Sequence, residues 1–174
     1  MNTNRHESDL LPRHSGRDCR NLVQQSASPD TSFSGSEWDR SRAETQRMTE
    51  NDIGTLVVGA AIAVYRELGP GLLETVYEVT LARELDERGL TVDRQVPIAI
   101  TYKGIRFVEG FRADLIVAGK VIVELKSVER VTAAHKKQVQ TYLRLTGFKL
   151  GYLLNFGEAV MKTGITRCVN GLEE

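Results

Sequence analysis

A chain of 174 residues, 41% of them hydrophobic, is long enough for one domain of ordinary size. Its 23 Lys and Arg residues balance 23 Asp and Glu residues, which excludes a global positive field for gathering nucleic acid and leaves only a local patch for that purpose. Two distant cysteines (Cys19 and Cys168), a polar N-terminus and the lack of an apolar run of ~20 residues argue against a disulfide framework, a signal peptide and a membrane span, which predicts a cytoplasmic protein.

Residues 1–47 have the composition of a disordered tail. They contain eight Ser and seven charges of each sign, without helical or strand periodicity. Because Met48 opens a sequence in which Thr49 or Asn51 would cap a helix, an upstream start codon is a second explanation for this segment. We predict a tail over 1–47 and one domain over 48–174.

Two helices are predicted after the tail. Apolar residues recur at helical spacing from Ile53 to Leu68, and the run 69–71 (Gly-Pro-Gly) ends this first helix. A second helix is expected over about 72–88, closed by Gly89. Its expected apolar side consists of Leu73, Val76, Leu81 and Leu85.

Strand patterns follow Gly89. We predict a three-stranded meander over 92–102, 105–117 and 121–128. Gly110 marks a bulge in the second strand, and Pro97 restricts the first strand to an edge or turns its missing donor outward.

The remaining elements are a third helix and one or two strands. The helix is expected over about 132–145 with Thr132 as its N-cap, followed by strands over 149–156 and 165–169. This order predicts an α/β fold, a mixed sheet of four to five strands flanked by helices.

Charged residues interrupt the second and third strands. If a three-residue loop joins them, Val117 pairs with Val121 and Asp114 falls opposite Glu124, with Lys126 facing the same way. This register gathers one wholly apolar face from Ala113, Leu115, Val117, Val121, Val123 and Leu125. A two-residue loop would instead place Asp114 among apolar side chains, at a cost of several kcal/mol.

Two facing carboxylates repel each other unless a cation lies between them. Oxygen ligands without nearby Cys or clustered His favour Mg²⁺ or Mn²⁺, held by Asp114 and Glu124, with Lys126 beside the ion for a phosphate or the attacking water. The alternative is an exposed sheet face on which these residues and Arg112 form ordinary ion pairs.

Three further side chains are candidates for the site. Gln138 and Tyr142 share a face of the third helix. In a functional interpretation, Gln138 donates a hydrogen bond to phosphate and Tyr142 supports it. In the alternative, Gln138 is a surface amide and Tyr142 is a core ring. His135 lacks a neighbouring His and is more simply a surface or phosphate-side group than a metal ligand. Glu74 at a helix start is also explained by the helix dipole alone.

Several motifs in order resemble a known family. The run GPGLLETVY (69–77) matches the GxxExxY signature at Gly71, Glu74 and Tyr77, and FRADLIV, VELK and HKKQVQTYL follow with the family's spacing. The chain thus resembles the GxxExxY proteins, a branch of the PD-(D/E)XK nuclease-like superfamily, over about 50–170. It departs at Tyr65, where many relatives carry His.

The resemblance implies a restriction-endonuclease-like core. In it Asp114 and Glu124 match the metal-binding acids, Lys126 the lysine of the ExK element, and Glu74 the acid of the N-terminal helical region. Gln138 and Tyr142 match the QxxxY element of related exonucleases. The implied activity is Mg²⁺-dependent or Mn²⁺-dependent cleavage of nucleic acid, expected to be DNA, and nucleases of this fold often act as homodimers. The rival interpretation is a binding module for nucleic acid or protein that keeps the fold without cleaving.

Overall fold

The predicted helices and strands follow one another in the predicted order, and one short helix that was not predicted lies before the last strand. The computed structural model describes residues 47–172, apart from the side chain of Glu109, so that residues 1–46 of the predicted tail and Cys19 lie outside the described residues. The helices are α1 (Glu50–Leu68), α2 (Glu74–Glu87), α3 (Ala133–Thr146) and the short α4 (Met161–Gly164). The strands are β1 (Val92–Tyr102), β2 (Ile105–Val117), β3 (Val121–Lys126), β4 (Leu150–Asn155) and β5 (Ile165–Val169).

The five strands form one mixed sheet in the spatial order β1-β2-β3-β4-β5. β3 and β4 are parallel and are connected through α3, whereas the other neighbours are antiparallel. β1 is an edge strand, as Pro97 requires, since proline cannot donate to a second neighbour. This mixed sheet flanked by helices confirms the predicted fold class and is consistent with a restriction-endonuclease-like core.

Helices cover both faces of the sheet because strand side chains alternate between them. α1 and α2 pack on one face, against Leu115, Val123 and Leu154 among others. α3 packs on the other face, where Val139 and Leu143 meet Ile122. Among the described residues no helix has the length and apolar character that crossing a bilayer requires. Cys168 is a free, buried thiol on β5.

The predicted turn between β2 and β3 is confirmed. Val117 pairs with Val121, and Ala118 and Gly119 adopt φ angles of 52° and 62°, the left-handed region that a three-residue turn uses. The ladder continues to the pair of Leu115 with Val123. Asp114 is therefore the first residue beyond the paired segment.

One detail of the predicted apolar face is wrong. Ala113 packs on the α3 side with Ile116 and Ile122, and not with Leu115. The reason is that the alternation of side chains between the two faces breaks at Asp114, which contacts β3 through its side chain and not through its backbone. Gln95, the residue of β1 opposite Asp114, has a φ of 53°. A regular strand pattern cannot reveal such a local break.

The apolar side of α2 also differs from the prediction. Leu73 is the N-cap and is 74% exposed, and Val76 is exposed as well, whereas Tyr77 and Glu78 are buried with Leu81 and Leu85. The helix is turned because the Tyr77 ring stacks on Phe156, with ring centroids 4.2 Å apart. A contact 79 residues away in the chain therefore sets which side is buried.

The predicted bulge at Gly110 is confirmed. Phe107 pairs with Ile100 and Phe111 with Ile98, so that residues 108–110 of β2 face a single residue of β1. A Cβ at position 110 would overlap the Ile100 side chain, so a larger residue there would require that side chain to move.

Candidate active site

Glu124 and Lys126 lie at the end of the central strand β3, on the face that α3 covers. Lys126 Nζ lies 2.8 Å from Glu124 Oε1 and donates a second hydrogen bond of 2.8 Å to the Leu125 carbonyl oxygen. Glu124 is only 2% exposed, and its Oε2 contacts no hydrogen-bond partner within residues 47–172. A buried oxygen without a donor marks a position where a ligand would complete the site.

The side chain of Asp114, on β2, contacts the backbone of β3. Its Oδ2 accepts a hydrogen bond of 2.8 Å from the Leu125 amide, which lies between Glu124 and Lys126. The break in the β2–β3 ladder thus frees a backbone amide of β3 for this carboxylate. The structure brings Asp114, Glu124 and Lys126 together, as the sequence pattern predicts.

Burial perturbs the pKa of both acids, and the charge of Asp114 adds to the effect on Glu124. Burial, and then the charge of Asp114, raise the pKa of Glu124 to about 7. Burial also raises the pKa of Asp114, against the lowering effect of the Leu125 amide. Burial alone would lower the pKa of Lys126, but the hydrogen bond and charge of Glu124, with Glu74 and Asp114, raise it on balance. The site therefore combines a protonated amine with two acids that resist ionising together.

Glu74 at the start of α2 lies beside the end of β3. Its Oε1 accepts a hydrogen bond of 3.1 Å from the Ser127 amide, and Ser127 Oγ donates to the Leu72 carbonyl at 2.6 Å. An open cleft of about 730 Å³ adjoins this contact and is lined by residues 71–75, 127–129 and Gly157. The segment that follows Lys126 is therefore tied to the helix start, with room beside it for a ligand.

Tyr77 fixes the loop that carries Glu74. Its hydroxyl donates to the Gly69 carbonyl at 2.7 Å and accepts from the Leu72 amide at 3.1 Å. Gly71 in the same loop has a φ of 94°, which other residues rarely adopt. Each residue of the GxxExxY signature therefore has a structural task around the end of β3.

Replacing Tyr77 by phenylalanine should destabilise the protein by about 1–2 kcal/mol, because the Gly69 carbonyl and the Leu72 amide lose their partner while the stacked ring remains. Thermal unfolding followed by circular dichroism measures the effect. Tyr102→Phe is the matched control, since that ring is exposed and surface changes usually stay within about 0.5 kcal/mol. Equal melting temperatures for the two variants would show that the Tyr77 hydroxyl does not hold the loop.

Gln138 and Tyr142 share a face of α3, as predicted. Gln138 Nε2 donates to the Tyr142 hydroxyl at 2.5 Å, and that hydroxyl donates to the Arg112 carbonyl of β2 at 3.1 Å. Burial raises the pKa of Tyr142, and the charges of Glu124 and Asp114 add to the effect. Tyr142 is thus a core ring whose hydroxyl links α3 to the strand that carries Asp114. The role of Gln138 toward phosphate stays a prediction.

His135 has a structural contact in α3. Its Nδ1 accepts a hydrogen bond of 3.3 Å from the Thr132 amide, which helps to close the N-terminus of the helix. Thr132 is the N-cap, as predicted.

Sequence reasoning missed a second buried acid near Asp114. Glu78 of α2 is 5% exposed and pairs with Arg94 at 2.8 Å. Gln95 Nε2 donates to Glu78 at 2.6 Å and lies 3.4 Å from Asp114 Oδ1, so it bridges the two acids. The available signal was the position of Glu78 one helical turn after Glu74, but no pattern indicated the bridging amide.

The donor set fits a hard divalent cation. Among the described residues no group of three or more His, Cys, Asp and Glu side chains converges as a complete metal site. Mg²⁺, however, is commonly held by one or two carboxylates with water and substrate oxygens. Asp114 and Glu124 supply carboxylates, the Leu125 carbonyl and Glu124 Oε1 already face one cationic group, and Glu124 Oε2 lacks a partner within the described part of the chain.

A sheet that carries an acid on one strand and an acid-x-lysine element on the next defines a class of nuclease-like proteins. The chain belongs to the PD-(D/E)XK nuclease superfamily, whose family model matches residues 51–168. In a comparison with curated proteins, none matches this chain. The chain is also similar to a solved structure, "Crystal structure of SSO0001", at 18% sequence identity over 78% of this chain and 77% of that chain, with a TM-score of 0.44. The narrower resemblance to GxxExxY proteins stays a prediction.

Proposed function

We propose that this protein is a metal-dependent phosphodiesterase that hydrolyses nucleic acid, with DNA as the expected substrate. The observation that carries the proposal is the Glu124 carboxylate, buried beside a second acid and an amine with one oxygen lacking a donor within the described residues. Such a group costs free energy in a fold unless it binds a cation or proton. Membership of the nuclease superfamily supports a nuclease-like function.

Mg²⁺ or Mn²⁺ would be held by Asp114, Glu124 and the Leu125 carbonyl. A divalent ion bound there supplies a Lewis acid for the scissile phosphate and lowers the pKa of a bound water. Asp114 keeps its place through the Leu125 amide, which orients the carboxylate before any ligand arrives. The Gln95 amide on its other oxygen adds to this orientation.

Lys126 would orient the attacking water and stabilise charge that develops on the phosphate. Because its pKa is raised on balance by the surrounding acids, the amine is protonated at neutral pH and donates rather than accepts. A fixed positive group in a site of low dielectric stabilises developing negative charge more than it would in water. In this role Lys126 exchanges its bonds to Glu124 and Leu125 for bonds to substrate or water.

Glu74, Gln138 and Tyr142 would complete the site. Glu74 would hold a water or a second ion near the end of β3, where it already binds the Ser127 amide. Gln138 would fix the phosphate, with Tyr142 as its support through their hydrogen bond. A cytoplasmic location and a homodimer stay predictions.

Cleavage assays with the purified full chain test this function directly. Single-stranded, duplex and branched DNA and RNA are incubated with Mn²⁺ or with chelator, and products are resolved on denaturing gels. We expect Mn²⁺-dependent cleavage of at least one DNA substrate and none with chelator. No cleavage of any substrate with Mn²⁺ would favour a non-catalytic binding module.

A further inference from the structure

The β1–β2 hairpin extends beyond the rest of the sheet. β1 pairs with β2 from Val92 opposite Val117 out to Tyr102 opposite Ile105. β3 pairs with β2 only over residues 115–117. Residues 105–112 of β2 therefore have a strand on one side only within the described part of the chain. Such an unpaired arm is free to contact a ligand.

Aromatic side chains line this arm on the face that carries the candidate site. Residues directly opposite in an antiparallel pair point the same way, so Tyr102 and Ile105 share a face, and Phe107 shares it with Ile100. The row continues inward to Phe111, opposite the buried Ile98 in the core under α3. The Phe111 ring contacts the Tyr142 ring edge-on, with centroids 5.4 Å apart. The row thus leads from the hairpin end to the α3 side of the sheet, where Glu124 and Lys126 lie.

These rings are accessible to a ligand. Tyr102 is 62% exposed, Phe107 is 44% exposed and Phe111 is 36% exposed. Exposed large apolar residues in a contiguous row mark an interaction surface more often than isolated ones do. The bulge at Gly110 bends the strand between Phe107 and Phe111, which sets the two rings at different positions along the arm.

Positive charge accompanies the rings, although the whole chain is neutral. Lys103, Arg106 and Arg112 lie within the arm together with one acid, Glu109, and Lys103 Nζ lies 5.3 Å from the centroid of the Tyr102 ring. Arg106 pairs with Thr101 and Arg112 with Pro97, so these two arginines lie on the other face of the hairpin from Phe107 and Phe111. Residues 127–149, which include α3, contain five Lys and Arg residues and one acid, Glu129. Basic residues therefore outnumber acids on the arm and on the segment that contains α3.

We propose that this arm binds an unpaired nucleic-acid strand by stacking bases on Tyr102, Phe107 and Phe111, and leads that strand to the site. The proposal rests on the proposed function, since it takes the site's substrate to be nucleic acid. Stacking requires bases whose faces are free, which duplex DNA does not offer, and Lys and Arg neutralise the backbone phosphates. A second copy of the chain is the alternative occupant of this arm, and it would bury the same rings in a two-fold interface.

Binding and cleavage are measured separately with the full chain. Fluorescence anisotropy, with chelator present to prevent cleavage, follows labelled single-stranded DNA and the same sequence as a duplex. We expect tighter binding of the single strand, and a loss of roughly tenfold in affinity for Tyr102→Ala and for Phe107→Ala, because each removes a stacking surface. Ile105→Ala is the matched control, since Ile105 is 60% exposed and faces Tyr102 but has no ring. Tyr102→Phe retains the ring and should bind as the unmodified chain does.

Three results would overturn the proposal. The first is equal affinity for single strand and duplex, and the second is unchanged affinity in both Tyr102→Ala and Phe107→Ala. The third is a dimer in sedimentation velocity that Ile105→Ala and Tyr102→Ala both dissociate, which would assign the arm to a second copy. Failure of the proposed function would show as absence of cleavage, which is measured separately from binding. A chain that never cleaves with Mn²⁺ yet loses single-strand binding in the two ring variants retains the binding surface without the reaction.

Discussion

Replacement of Lys126 by alanine is expected to lower Mn²⁺-dependent cleavage by about a hundredfold or more, which is the size of effect that follows loss of one group stabilising transition-state charge. The amine is the only group that contacts both Glu124 and the Leu125 carbonyl in the described hydrogen-bond network, so no described neighbour replaces it. Initial rates on the best substrate of the full chain measure the effect. A wild-type rate in Lys126→Ala would remove Lys126 from the mechanism.

The same substitution also perturbs folding, and the experiment must separate the two effects. Without the amine, Glu124 loses its ion pair and takes up a proton more readily, because burial already holds its pKa near 7. Lys126→Met keeps the apolar stem and should lose activity equally while packing better. Melting curves and retained oligonucleotide binding show that both variants are folded. Lys162→Ala, at an exposed position on α4, is the matched control and should cleave normally.

The sequence predicted that Asp114, Glu124 and Lys126 lie together, because burial leaves few arrangements of charge. Only one register of β2 and β3 keeps Asp114 and Glu124 off the apolar face, and the turn from Val117 to Val121 has that register. The order of elements and the edge position of β1 were equally constrained, by periodicity and by Pro97. These features depend on local pattern, which a sequence displays directly.

The errors share a different origin. Ala113 changes faces because the Asp114 side chain binds a backbone amide on the next strand, and α2 is turned because Tyr77 stacks on Phe156. Gln95, which bridges Glu78 and Asp114, has a φ of 53°. Glycine and asparagine are the residues that usually indicate a positive φ in a sequence, and glutamine is not one of them. Each of these errors involves a tertiary contact between segments distant in sequence, and periodicity carries no record of such contacts.

Asp114→Asn should stabilise the metal-free protein at pH 8 by on the order of 1 kcal/mol, the usual size of an interaction between facing side chains. Asparagine has the same shape and its carbonyl oxygen can still accept the Leu125 amide, while the charge that repels Glu124 disappears. Its amide nitrogen would face Gln95 Nε2, so the long 3.4 Å bond from Gln95 is lost, which reduces the gain. Thermal unfolding with chelator measures the gain. Asp93→Asn, at an exposed acid on β1, is the matched control and should change the melting temperature little.

The gain should depend on pH in a defined direction. Between the ordinary Glu pKa of 4.5 and the folded value of about 7, the folded state binds more protons at Glu124 than the unfolded state does. The stability of the metal-free wild type therefore falls as pH rises through this window. Removing Asp114 lowers the pKa of Glu124 and flattens that fall. A steeper fall in Asp114→Asn would contradict the repulsion on which the metal site depends.

Metal reverses the ranking of the two proteins. At a free Mn²⁺ concentration a hundred times its dissociation constant, binding to the folded state adds about 2.7 kcal/mol and should raise the wild-type melting temperature by several degrees. Asp114→Asn lacks one of the two carboxylate ligands and should gain much less, so the variant that is more stable in chelator becomes the less stable one in Mn²⁺. An equal rise in both proteins would place the ion elsewhere, and no rise in the wild type would show that the buried acids are not held for a metal. The negative charges of Asp114 and Glu124, which repel each other in the metal-free protein, are thus the same charges that should attract the cation.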